Sequence, residues 1–303
     1  PVFVTMISGS YTGEESRIGW QITMGLYSVV GALLLLYCFS QTKERIKVDP
    51  SNDAKLKFID VFKQFKVNPP LVVLSLFFII LFGRMAVANS IGTYFITYHR
   101  NPLYLVQRYG LIGTIPAFFL LPLVPTFNRL VGKIRLLQIS LILGIVGCGV
   151  TYVVPAENIT VILIARFVSS CGIIVAGGFM WALIPETIEY GEYKTGKRLS
   201  AMIYAIIGFF FKFGLALGGI VPGFMLSRYG YVANQVQTAE ALNGILLTTT
   251  VIPMIFLAVA FIDISFYSLN DKRYKEIVAA LEEKKHDVNE ADPEENVQPQ
   301  MAN

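Results

Sequence analysis

Apolar residues fall along this chain in blocks of membrane-spanning length. A helix that crosses a bilayer needs about 20 mostly apolar residues, and six blocks qualify: 19–40, 71–97, 105–127, 136–154, 159–184 and 200–226. A seventh, 243–267, is as long and as apolar, and residues 1–10 read as the end of one more span. Pro and Gly interrupt the blocks at Pro116, Pro122, Gly177, Gly178, Gly218, Gly219 and Pro222. Such breaks survive in lipid where neighbouring helices satisfy the freed backbone groups. The small residues of 214–219 would let a second helix approach closely.

Polar segments divide these blocks into an expected domain plan. Residues 1–40 form the end of one helical bundle, 41–70 a Lys-rich loop on the cytoplasmic side, 71–267 a six-helix bundle and 268–303 a cytoplasmic tail. In the tail, Tyr274, Ile277, Val278 and Leu281 recur at helical spacing, with Asn270 placed to cap. From Glu282 onward the tail is acidic and is expected to be disordered. Placing 41–70, 128–135, 186–199 and the tail on one side collects eighteen Lys and Arg there, against Arg17, Arg100, Arg108 and Arg228 opposite. That bias assigns the basic side, and the C-terminus with it, to the cytoplasm.

Composition strengthens the membrane reading. Of 303 residues, 54% are hydrophobic and 15% charged, with a mean hydropathy of +0.58, whereas soluble domains carry roughly a quarter charged residues. The net charge of +4 gives no sign of nucleic-acid binding. Cys38, Cys148 and Cys171 lie far apart in apolar runs, with neither disulfide nor metal spacing. Pro1 opens the chain without a Met or a signal sequence, so it is expected to begin inside a longer protein.

Three charges fall well inside spans: Arg84, Arg166 and Lys212. Each costs at least roughly 2.5 kcal/mol at the bilayer centre unless it finds a partner or a watery cavity. Arg84 and Arg166 could instead snorkel toward an interface. Lys212, with about ten apolar or small residues on either side, cannot do so easily and is the stronger functional candidate. A second constellation is Glu186, Glu189 and Glu192, at i, i+3 and i+6. Read as the C-terminal end of a span, this acidic stripe opposes the helix dipole and needs basic groups facing it. Arg198, Lys194, Lys197 and the 128–135 loop, with Arg129 and Lys133, supply candidates. The segment 229–238 reads as a turn with aromatic anchors at the membrane interface. Nothing in the sequence suggests a metal site or an enzyme.

The run Glu189-Tyr190-Gly191-Glu192-Tyr193-Lys194-Thr195-Gly196-Lys197-Arg198 resembles a signature of the glycoside–pentoside–hexuronide:cation symporters, the melibiose-permease group of the major facilitator superfamily. Lys212 matches a lysine of that family's eleventh helix. Gly230 to Thr238 is similar to the bacterial glucuronide carriers, and Phe266 to Asp271 to the family's closing motif. The resemblance implies an all-α, twelve-span fold, of which this chain holds the C-terminal bundle and the last one to two helices of the N-terminal bundle. It implies cation-coupled (Na⁺ or H⁺) uptake of a glycoside, pentoside or hexuronide by alternating access in a bacterial inner membrane. The partners are then a sugar, a monovalent cation and the lipid bilayer, with no resident cofactor. Lys212 and Tyr204 would face the coupling and substrate cavity. Glu186, Glu189, Tyr190, Glu192, Arg198, Arg129 and Lys133 would form a cytoplasmic gate. The family's acidic cation ligands lie on early helices that are not in this chain. A carrier of another solute, such as a sulfonated sugar or an oligosaccharide, and a sensor built on the same fold are the alternatives.

Overall fold

A computed structural model describes residues 2–9, 14, 16–42, 58–100, 104–155, 157–233 and 235–291. The chain divides into two units, Pro1–Lys57 and Phe58–Asn303. In the first, α1 (Val2–Ser8) packs on α2 (Ser16–Gln41), the Ser8 side chain lying against Gly19. Only Ser16, Gly19 and Thr23 of α2 are buried, so the rest of this apolar helix presents its side chains outward.

The second unit begins with α3 (Phe58–Val67), followed by α4 (Pro69–Tyr94) and a π-helical turn, Phe95–Arg100. The remaining helices are α5 (Tyr104–Val131), α6 (Lys133–Val153), α7 (Ile159–Met180), α8 (Leu183–Thr195), α9 (Ser200–Arg228), α10 (Ala239–Thr249), α11 (Val251–Ser265) and α12 (Asp271–Ala291). Across both units, seven helical stretches among the described residues are long and apolar enough to cross a membrane, at the positions the apolar blocks indicate. The interior of the second unit is built from Leu71, Leu74, Phe77 and Phe78 of α4 with Leu137 and Leu141 of α6, Ile184 of α8 and Ile203 of α9.

Local sequence explains the boundaries. Asn68 starts α4: its side-chain oxygen accepts from Leu71 N at 3.2 Å, and Pro69 and Pro70 occupy positions whose N–H groups would otherwise be unsatisfied. Gly132, at φ 80°, turns α5 into α6 without a loop, a conformation that suits a residue with no Cβ. Between α4 and α9 the backbones touch. A Cβ on Gly214 would lie 2.6 Å from the Ile79 carbonyl, and one on Gly218 would collide with Gly83.

Three features depart from the sequence expectation. Part of the expected 41–70 loop is helical, as α3, while residues 43–57 lie outside the described residues. The span expected over 159–184 is two helices broken at Trp181–Ala182, where i−3 bonds replace the regular ladder. The acidic tail continues as helix to Ala291, because Ile277 and Leu281 anchor α12 in the core and Asn270 Oδ1 caps it by accepting from Arg273 N.

Candidate functional site: an ion-paired end and an open helix face

Two places carry the chemistry. The first gathers at the end of the second unit where α8 meets α6 and α12. Lys133, at the first position of α6, is 1% exposed, and its Nζ is 2.6 Å from Glu186 Oε2 and 3.6 Å from Asp271 Oδ1. The same ammonium lies over the Tyr274 ring at 5.1 Å, and Tyr267 OH reaches Glu186 Oε2 at 3.5 Å. Burial, and then the Glu186 carboxylate, pushes the Tyr267 phenol well up; Tyr274 is raised likewise by burial and then by Glu189. Both phenols therefore remain neutral donors.

The helix break changes the electrostatic logic of the acidic stripe. With α8 starting afresh at Leu183, Glu186 stands in a first turn, where a helix dipole favours a negative charge. The expected penalty for a carboxylate at a span's C-terminal end does not apply to it. Arg198 Nη1 pairs with Glu192 Oε2 at 2.8 Å, not with Glu186 or Glu189. Gly196, in the left-handed region at φ 70°, folds the chain back to make that pair possible. Among the described residues Glu189 makes no ion pair, its Oε2 is buried without a hydrogen-bond partner, and Arg129 is exposed and unpaired. Tyr190 is buried, with Lys194 Nζ 5.9 Å and Arg273 Cζ 6.0 Å from its ring centroid. On the other side of α8, Asn68 Nδ2 donates to the Thr187 carbonyl at 2.8 Å, tying it to the start of α4.

The sequence reading put Glu186 and Lys133 in one expected gate, with Lys133 one of several basic candidates to face the acidic stripe. It missed Tyr267, Asp271 and Tyr274 as members of the cluster and Asn68 as its tether. The signal for the first three was the closing motif with the helix behind it, and for Asn68 an Asn directly before Pro-Pro.

The second place is an open face of α9. Tyr204 is half exposed, and Lys212, two turns further on, is exposed as well; Gly208 between them has no atom near its Cβ position. The opposite face, with Met202, Ile203, Ile206, Ile207, Gly214 and Gly218, is buried. No carboxylate of the described residues pairs with Lys212. Beside this helix, Trp181 at the break packs edge-on against Phe78 at 5.0 Å, and Phe82 meets Phe211 at 4.2 Å.

Arg84 does not snorkel: it is buried inside the bundle. Arg166 lies with its Cζ 4.7 Å from the Tyr109 ring centroid. The 229–238 turn is held by a 3.0 Å bond from Tyr231 OH to Tyr98 OH and by Gln237, which donates to the Val232 and Gln235 carbonyls; Asn234 lies outside the described residues.

A family model described as "MFS/sugar transport protein" matches residues 1–271. The chain is 52% identical over 282 residues to an uncharacterized symporter, YnaJ, of Bacillus subtilis, covering 93% of this chain and 60% of that protein. It is 35% identical over 276 residues to a glucuronide carrier protein homolog of Escherichia coli, covering 88% and 57%. With an isoprimeverose transporter of Lactiplantibacillus pentosus the identity is 27% over 272 residues, covering 89% and 56%. The chain thus spans about three-fifths of the length of these relatives. It is a multi-pass membrane protein of the major-facilitator fold, and it belongs to the MFS/sugar transport protein family, a family of transporters and not of enzymes.

Proposed function

We propose that the protein is a secondary active carrier that couples uptake of a glycoside, pentoside or hexuronide to entry of Na⁺ or H⁺ by alternating access. The bilayer it works in is the bacterial inner membrane, with the C-terminus and the Lys133–Glu186 cluster on the cytoplasmic side. The observation that carries the reading is Lys212, a cation on an apolar helix, exposed two turns from Tyr204 and unpaired among the described residues. A charge at that depth is tolerated when it faces a watery path or an acid on another element. A lysine so placed competes with a coupling cation for carboxylates and yields when the cation binds. Its relatives' designations as symporter and glucuronide carrier homolog agree with coupled movement of a sugar. The cluster at α6, α8 and α12 acts as the gate, closing the cytoplasmic end while the opposite side is open.

The test is uptake of labelled sugars into vesicles by the complete protein, with Na⁺ and pH gradients imposed separately. Lys212→Ala is expected to retain sugar binding and lose accumulation against a gradient. Lys212→Arg is expected to fail largely too, since a planar fork does not replace a compact ammonium. Full concentrative uptake by Lys212→Ala would reduce the lysine to a bystander.

A further inference from the structure

Gln64 and Asn68 stand where α3 runs into α4, and the seat they meet is a glycine of α8. Asn68 N donates to the Gln64 carbonyl at 2.9 Å, so no loop separates the two helices. Both side chains are buried, Gln64 at 2% exposure and Asn68 at 0%. A Cβ on Gly191 would lie 3.1 Å from Gln64 Oε1 and 3.1 Å from Asn68 Nδ2, so the two amides converge on one point of α8. Asn68 Nδ2 also donates to the Thr187 carbonyl, one turn back along that helix, at 2.8 Å. Phe65, between the two amides in sequence, meets Phe210 of α9 edge-on at 5.8 Å.

Two of these residues are costly where they stand. Gly191 lies inside α8, where glycine destabilises a helix relative to alanine. Gln64 Oε1 is buried without a hydrogen-bond partner among the described residues, a cost that an apolar side chain of similar size would not carry. The contact accounts for the glycine. In a helix the Gly191 N–H bonds the Thr187 carbonyl, and a side chain at 191 would crowd the Asn68 amide that donates to the same oxygen. Thr187 directly follows Glu186, whose carboxylate meets Lys133 at 2.6 Å on the other side of α8. The helix is thus held between two attachments, an ion pair to α6 and an amide corner from α3 and α4.

We propose that Gln64 and Asn68 are positioning residues for the cytoplasmic gate: the α3–α4 corner, seated on Gly191, fixes the height of α8 and so the place at which Glu186 meets Lys133. The inference rests on the reading of the Lys133–Glu186 cluster as a gate. With the corner unseated, α8 keeps its ion pair but loses the contact that holds its register. The cytoplasmic end then leaks sugar that a seated gate would retain.

The experiment is hydrogen exchange on the complete protein in detergent, followed by uptake and efflux in vesicles. Asn68→Ser keeps a capping oxygen for α4 but is too short to reach Thr187, and Gly191→Leu fills the seat. Each is expected to speed amide exchange in 183–195 at least tenfold, while 133–153 exchanges as in the parent protein. Adding Gln64→Ala to Gly191→Leu makes room and should recover part of that protection. In vesicles the ratio of concentrative uptake to downhill flux should fall at least threefold, a ratio that the amount of folded protein does not change. Should Gly191→Leu fail to fold, Asn68→Ser decides alone. Unchanged exchange in 183–195, or faster exchange in all helices alike, would overturn the positioning role. Local loss of protection with the flux ratio intact would leave the corner as the fixture of α8 and sink the gate reading instead.

Discussion

Lys133 and Lys212 carry the same charge in one unit, at the start of α6 and in the middle of α9. Lys133 is enclosed and has Glu186 at 2.6 Å, Asp271 at 3.6 Å and an aromatic ring at 5.1 Å. Lys212 is exposed on an apolar helix between Phe211 and Phe213, with no carboxylate paired to it among the described residues. The first lysine is neutralised within its own unit; the second has no such partner among the described residues. Removing the first therefore disturbs a closed set of local contacts, whereas removing the second tests the proposed coupling role with little local contact to lose.

The sharpest way to break that contrast is to remove the enclosed charge. Lys133→Met strands a mostly buried carboxylate, and loss of one partner of such a pair costs about 3 kcal/mol. The expected result is a clear fall in the unfolding midpoint, mostly recovered when Glu186→Leu is added. Little change on Lys133→Met alone would mean that water already screens the cluster. A smaller loss, about 1–2 kcal/mol, is expected for Asn68→Ala, which removes both the α4 cap and the tether to Thr187. Asn68→Asp keeps the cap acceptor but sets a buried carboxylate oxygen against the Thr187 carbonyl, so its midpoint should fall at least as far as that of Asn68→Ala.

Next comes Arg198→Ala. Its guanidinium is half exposed, and partly exposed pairs are worth about 1 kcal/mol or less. Stability should barely move, and the small effect should vanish in high salt. The smallest stability effect is expected at Lys212→Ala, within about 0.5 kcal/mol of the parent because no local partner is lost. A large loss of stability there would dissolve the contrast, showing that Lys212 is held by the fold after all.

How much of this was legible in the sequence depends on range. Spans were legible because membrane length is written in consecutive apolar residues; every block from 19–40 to 243–267 has its helix. The break at Trp181–Ala182 had its signal in Pro185, which lacks the N–H that would bond the Trp181 carbonyl four residues back and crowds that carbonyl with its ring; what the sequence did not show is that Trp181 then packs edge-on against Phe78. That basic groups would face the acidic stripe was legible from complementary charge, with Lys133 and Arg198 among the candidates. Which acid each meets was not, because the Arg198–Glu192 pair depends on the left-handed turn at Gly196. Asp271 and Tyr274 were legible only as part of a helix at the end of the chain, because their contact with Lys133 spans well over a hundred residues.

The glycines of α9 look alike in the sequence but carry unequal constraint. Gly214 and Gly218 lie against the backbone of α4, whereas Gly208, Gly219 and Gly223 have open space where a Cβ would go. Natural drift can therefore change the second group through folding-neutral steps, while any side chain in the first must push one helix off the other. Lys212 stands two residues before Gly214, so its position relative to α4 is inherited from that contact. Two residues with no side chain fix where the charged one stands, and a carrier of this design can alter what lines its open face without losing the place of its lysine.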